Sequence, residues 1–208
     1  MVTVMAISNK AELYMRSGRL REAEATYRQA LDLAVDIQGR RLPIAGQALI
    51  GLGEVCYDRG ELDRAAHLLD EGAQLTEQWT EVGPFDAYIT LARVRLSQGD
   101  MDSAWDAIRK AEEIAARFDA TEIDDLSVSM VRARLSIAQG DLEAVQRWAE
   151  TRGLFKYIDT PLEEKAGDSI DHRLHKYELL VLARQLIAKG RAGEALSVLA
   201  PLVAVAEQ

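Results

Sequence analysis

The stretch that decides the fold runs from Ala45 to Gln78 and reads AGQALIGLGEVCYDRGELDRAAHLLDEGAQLTEQ. On both sides of Gly60, its apolar residues recur at three- and four-residue spacing, which is the pattern of helices with one buried face. Gly60 interrupts the pattern, because glycine readily takes the left-handed conformation that ends a helix. The stretch therefore predicts two helices folded against each other.

The same unit recurs along the chain, in register with a glycine between its two predicted helices. The aligned glycines are 42, 39, 41 and 50 residues apart. Of the ten positions seven before and five after them, nine hold Ala or Gly, which lets two helices approach closely. This period predicts an all-α solenoid, a right-handed α-superhelix of about five helix pairs. The glycines are Gly18, Gly60, Gly99, Gly140 and Gly190, preceded by Ala11, Gly53, Ala92, Ala133 and Ala183 and followed by Ala23, Ala65, Ala104, Val145 and Ala195.

The register predicts a single repeat domain over residues 1–208, with helix caps at several of its boundaries. Asp100 and Asp141 directly follow turn glycines and can cap the helices after them. Thr121 with Asp124 three residues on has the spacing of a capping box, so a repeat is expected to open there. The predicted repeats are 2–38, 42–79, 84–118, 121–152 and 170–207.

The exception to the register is the stretch GLFKYIDTPLEEKAGDS over 153–169, which accounts for the longest interval. Loops of this length inside a compact domain are uncommon and often functional. The alternative is an insertion that packs Leu154, Phe155 and Tyr157 over the edge of a groove. The sequence leaves the role of this irregular insertion open.

Two apolar stripes lie on the last predicted helix, EALSVLAPLVAVAEQ. One stripe can pack on the preceding helix of its repeat, whereas the other should stay exposed, and burial of Val198 and Leu202 would speak against this expectation. Because a large exposed apolar patch usually marks an interface, we expect more chain or a homodimer partner to cover this end. The alternative is that the 153–169 segment folds across it, or that both stripes are buried in a tilted packing. The first stripe is Leu196, Leu199 and Val203, and the second is Val198, Leu202 and Val205.

The small residues around each glycine, with Tyr27, Leu69 and Ile108 nine residues after it, look like the tetratricopeptide pattern. With helices long enough for a period near forty, the chain resembles the sensor region of MalT-type, ATP-dependent LuxR-family transcription regulators. The stretches AYITLARVRLSQGDMDSAWDAIRKAEEIAARF, VRARLSIAQGDLEAVQRWAETRGL and YELLVLARQLIAKGRAGEALSVLAPLVAVAE carry the resemblance. It implies a non-catalytic sensor that binds a small-molecule inducer or a regulatory protein and acts with other domains of the full-length regulator. The alternative is a free-standing tetratricopeptide-like scaffold for protein–protein interaction.

Composition and motifs narrow the classes of function. With 34 acidic and 25 basic residues and a formal charge of -9, the segment should repel phosphate backbones, so no direct nucleic-acid partner is expected. A lone cysteine, Cys56, and the lack of a signal peptide or an apolar span indicate a cytoplasmic chain without a membrane partner. No phosphate-binding loop, nucleophile elbow or HExxH helix occurs, so neither enzymatic activity nor a cofactor is expected. His172 and His175 could hold a metal, but a solvated helix end is the favoured interpretation and no metal site is predicted.

The candidate binding site comes from the position six residues before each glycine, which should point into the concave groove of a solenoid. This row contains Glu12 and Glu54 and then three arginines, a run that invites an anion or a polyhydroxylated ligand. The alternative is that each arginine pairs with a local acid. The predicted groove residues are Glu54, Tyr57, Asp86, Tyr88, Arg93, Arg134, Tyr177 and Arg184.

Overall fold

The computed structural model describes residues 2–78, 84–118, 121–160 and 170–206. These ranges contain ten α-helices and no strand, which confirms the predicted all-α fold. No helix in them combines the length and the apolar character needed to cross a membrane. The helices are α1 (Val2–Arg16), α2 (Leu20–Leu33), α3 (Ala45–Asp58), α4 (Leu62–Glu77), α5 (Phe85–Gln98), α6 (Met101–Arg117), α7 (Glu122–Gln139), α8 (Leu142–Thr151), a short 3₁₀ helix η1 (Leu154–Ile158), α9 (Ile170–Ala188) and α10 (Ala192–Ala206).

Each glycine of the predicted register lies between the two helices of a pair and has a left-handed backbone. The φ angles of these five glycines lie between 69° and 81°. Asp100 and Asp141 accept hydrogen bonds from the Ser103 and Ala144 amides at 3.1 Å, as the sequence predicts for helix caps. Thr121 and Asp124 form the predicted capping box. The ten positions before and after the glycines are all buried, so close helix contact is confirmed.

The chain folds into two compact units, residues 1–120 and 121–208. The single repeat domain over residues 1–208 stays a prediction. The first unit contains the pairs α1/α2, α3/α4 and α5/α6. The second contains α7/α8, η1 and α9/α10. The chain therefore forms three helix pairs in one unit and two in the other.

Helix α3 is the centre of the first unit, and ten of its 14 residues are buried. It crosses α4 at two glycines. A Cβ built on Gly46 would lie 2.8 Å from the carbonyl oxygen of Gly72, and one built on Gly72 would lie 3.0 Å from that of Gly46. On its other side, a Cβ on Gly51 would lie 2.2 Å from the ring of Tyr27 on α2. Because these glycines have no side chain, α3 can pack directly against both α4 and α2.

In the second unit, the first part of the predicted insertion packs into the core. Leu154 is fully buried among Ala149 of α8, Leu182 of α9 and Val198 of α10. Phe155, Tyr157 and Ile158 are half-buried against the same cluster. The packed surface belongs to α8, α9 and α10, whereas the sequence suggested the edge of a groove. Residues 161–169 of the insertion lie outside the described residues.

The last helix buries a stripe that we expected to be exposed. Val198 is 2% exposed, and Leu202 is half-buried against the same core cluster, because η1 packs beside α10. Leu196 and Val203 are exposed instead. Leu199 is half-buried like Leu202, and the side chain of Val205 lies outside the described residues, so the expected exposure is wrong for Val198 and Leu202. A homodimer through this helix stays a prediction.

Candidate functional site

Side chains on the facing sides of α3 and α5 form one polar cluster. Its members are Glu54 and Tyr57 on α3 and Thr90 and Arg93 on α5, and Asp86 of α5 lies nearby. Thr90 Oγ1 donates to Glu54 Oε1 at 3.3 Å, and the guanidinium carbon of Arg93 lies 4.6 Å from the centroid of the Tyr57 ring. Spacings of four and three residues place Asp86, Thr90 and Arg93 on one face of α5. We call these five residues the α3/α5 cluster. It brings together a carboxyl, a hydroxyl and a guanidinium stacked on an aromatic ring.

The carboxyl of Glu54 is the unusual group of the α3/α5 cluster. The pKa of Glu54 is raised to about 7, mainly by burial and also by the negative charge of Asp86, against the opposing effects of Arg93 and the Thr90 hydrogen bond. Near neutral pH this carboxyl is therefore divided between its neutral and charged forms. A ligand that brings a positive charge or a hydrogen-bond donor would favour the charged form.

The remaining groove residues of the second unit lie on α7 and α9. Arg134 is half-buried on α7, Arg184 is exposed on α9, and Tyr177 is 58% exposed. Arg93 belongs to the first unit, and Arg134 and Arg184 belong to the second, so the structure does not test a shared face for the three arginines. That face stays a prediction.

Tyr88 lies apart from the α3/α5 cluster, although the sequence grouped it with Tyr57 and Arg93. Its hydroxyl donates to Glu77 Oε1 of α4 at 2.6 Å, and the Lys110 ammonium of α6 lies 4.9 Å from its ring centroid. At 100° per residue, Tyr88 points about 160° away from Thr90 around the helix. It contributes to a cavity of about 600 Å³ bordered by α4, α5 and α6, which we call the α4/α6 cleft.

The sequence did not identify a buried ion pair in the second unit. Glu178 on α9 is fully buried, and its Oε1 accepts a 2.6 Å hydrogen bond from Arg152 Nε. His175 Nδ1 lies 2.9 Å from Glu178 Oε2, and its Nε2 lies 2.8 Å from the Tyr157 hydroxyl. His175 thus joins η1 to α9 instead of marking a solvated helix end. Within the described residues no group of three metal ligands occurs, and the side chain of His172 lies outside them.

Helix pairs with buried small residues at fixed positions around a left-handed turn define a tetratricopeptide-like repeat protein. The chain belongs to the MalT-like TPR region family, whose model matches residues 1–208. This match confirms the resemblance to the MalT-type repeat region. No curated protein matches the chain in sequence.

Solved structures show the same fold at low sequence identity. BtubC (BKLC) from P. vanneervenii superposes with a TM-score of 0.64 at 20% identity, over 99% of this chain and 82% of that one. A putative kinesin light chain from Podosopora anserina with nearly identical TPR-like repeats superposes with a TM-score of 0.60 at 18% identity, over 98% and 94%. At these identities the likeness defines the fold alone.

Proposed function

We propose that this chain is the non-catalytic sensor region of a MalT-like, LuxR-family transcription regulator. It binds a small-molecule inducer or a regulatory protein at the α3/α5 cluster and acts with other domains of the regulator. The observation that carries the proposal is the grouping of Glu54, Thr90 and Arg93 with Tyr57 on facing first helices. Membership of the MalT-like TPR region family supports the regulatory context.

The chemistry of the cluster suits recognition of a polar ligand. A guanidinium stacked on an aromatic ring keeps its N–H edge available for acceptors, and stacking holds that edge in one orientation. The Arg93 guanidinium lies over the Tyr57 ring in this way. Glu54 supplies a carboxyl that accepts a long hydrogen bond from Thr90 and that can also accept from a donor on the ligand. A ligand that carries both donors and acceptors, such as a hydroxyl-rich inducer or a polar protein segment, meets both groups.

A binding experiment tests the site. Thermal shift against sugars, nucleotides, amino acids and anions should find a ligand that stabilises the chain, by about 2.7 kcal/mol at a hundred times its dissociation constant. Arg93→Ala should weaken that ligand by about tenfold or more, as expected for loss of a charge-assisted hydrogen bond. Arg109→Ala is the control, since Arg109 is exposed on α6 and pairs with Asp106. Equal binding by both variants would place the ligand elsewhere.

The regulatory role is tested by the reading frame that encodes this chain. We expect an ATPase domain before it and a helix-turn-helix domain after it, as the family resemblance implies. A frame that encodes repeats alone would favour the free-standing protein-binding scaffold. Tight, sequence-selective binding of this segment to a DNA duplex at physiological salt would contradict the assignment of DNA binding to another domain.

A further inference from the structure

The α4/α6 cleft has charged walls of two kinds and an apolar floor. On α4, Asp70, Gln74 and Glu77 line it at spacings of four and three residues, so they share one face of the helix. Its α6 wall consists of Lys110, Glu113 and Arg117. The floor is formed by Ala73, Tyr88 and Ile114, which are 2%, 8% and 8% exposed. The α4 wall is therefore acidic, whereas the α6 wall carries two cations and one carboxylate.

Opposite charges on the two walls do not neutralise each other across the cleft. Glu77 accepts the Tyr88 hydroxyl, and the Lys110 ammonium lies over the ring of the same tyrosine, so Tyr88 stands between them. Neither Lys110 nor Arg117 forms an ion pair with any residue in the described ranges. Asp70 has a partner in Arg95 at 3.2 Å. The cleft thus holds an acceptor on one side and cations on the other, separated by an aromatic ring.

We propose that the α4/α6 cleft binds a small zwitterion, an amino acid with an apolar side chain or a short peptide. Its ammonium lies beside Glu77, its carboxylate beside Lys110 and Arg117, and its apolar side chain over Ala73 and Ile114. A volume of about 600 Å³ is within the range of small-molecule sites, roughly 300–1,000 Å³. This site lies on the opposite face of α5 from the α3/α5 cluster, so it is independent of the proposed function.

Charge selectivity follows from the two walls. A ligand with only a carboxylate meets Lys110 and Arg117 but is repelled by Glu77 and Glu113. One with only an ammonium meets the acidic wall but is repelled by Lys110. Only a ligand with both charges gains at both walls, because each desolvated charge then has a partner.

Isothermal titration of the full chain with leucine and leucyl-leucine tests the proposal. At least one of them should bind, whereas leucinamide, without the carboxylate, and 4-methylpentanoate, without the ammonium, should each bind about tenfold more weakly or not at all. Equal binding of a singly charged analogue would overturn the proposal. So would the absence of binding by either zwitterion up to about 10 mM.

Two variants locate the binding in the cleft. Glu77→Gln keeps an acceptor for the Tyr88 hydroxyl and Lys110→Met keeps the apolar stem, so both preserve packing while removing one charge. Each should weaken zwitterion binding by about tenfold. Arg109→Met, on α6 but outside the set of residues that line the cleft, should bind the zwitterion as the parent does. Unchanged binding by Glu77→Gln and Lys110→Met, with unchanged circular dichroism, would overturn the assignment to the cleft.

Discussion

Replacing Gly46 by Ala tests whether direct backbone contact between α3 and α4 is required. Gly46 is the second residue of α3. The new Cβ would lie 2.8 Å from the Gly72 carbonyl oxygen, 3.0 Å from the Thr76 amide nitrogen and 2.7 Å from the Thr76 methyl. Carbon contacts of this kind normally lie at about 3.5–4.0 Å. Two of the three atoms belong to the backbone of α4, so no side-chain rotation relieves the clash and the helices must separate.

The expected cost comes from two opposing effects. Overfilling a packed interface costs about 1–3 kcal/mol, whereas Ala gains up to about 1 kcal/mol over Gly in helix propensity. Gly46→Ala should therefore lower the free energy of unfolding by about 1–2 kcal/mol. Gly193 is the matched control, since it is the second residue of α10 and a Cβ built there meets no heavy atom within 4 Å. Gly193→Ala should be neutral or slightly stabilising.

Urea and thermal unfolding followed by far-UV circular dichroism measure both variants. For a chain of this size, a loss of 1 kcal/mol corresponds to a fall in Tm of about 2–4 °C. If the two units unfold separately, Gly46→Ala should shift the transition of the first unit and Gly193→Ala that of the second. A Gly46→Ala chain as stable as Gly193→Ala would show that the α3/α4 contact tolerates a methyl group and would refute the argument.

Two further predictions concern buried charges. Because the pKa of Glu54 is raised to about 7 in the folded chain, ionising it disfavours folding, so stability should fall as pH rises from about 5 to 8. The urea midpoint of Glu54→Gln should fall less over this range, and equal slopes would contradict the assignment. Arg152→Met should lower the free energy of unfolding by about 2–3 kcal/mol, because Glu178 would retain only His175 among its described partners. This loss is smaller than for a fully buried ion pair, because the Arg152 side chain is 44% exposed. Arg147→Met, on the exposed side of α8, should stay within about 0.5 kcal/mol of the parent in urea unfolding; a similar loss in both variants would argue against the pair.

The fold could be predicted because its signals are local and repeated. A left-handed glycine, a capping aspartate and a small residue at a helix crossing each act within a few residues, as Gly99, Asp100 and Ala104 show. Repetition at a fixed period then multiplies a weak signal. Burial of Val198 could not be predicted in this way, because it depends on Leu154 of η1, which lies in the stretch without a repeat.

Parts of the site could be predicted, and one missed residue had a signal. The register located Glu54 and Arg93, and spacings of four and three residues from Asp86 and Arg93 could have added Thr90. The buried Glu178 had no such signal. In the run YELLVLA, a charged residue such as Glu178 is expected on the polar side of a helix. Only the contact of Glu178 with Arg152, 26 residues earlier in the chain, explains its burial.

Helix α5 shows why repeat patterns predict a fold better than they predict a function. Ala92 and Gly99 belong to the register and hold α5 against its partner, while hydrogen bonds from Arg95 to Asp70 and from Gln98 to Asp63 fix its position beside α4. The side chains that α5 contributes to the α3/α5 cluster and to the α4/α6 cleft, such as Thr90 and Tyr88, lie outside these register positions, on opposite faces of the helix. The repeat period does not specify a particular residue at those places, although Thr90 and Tyr88 are buried there. Their identity is therefore free to serve binding, and it cannot be inferred from the period that builds the helix.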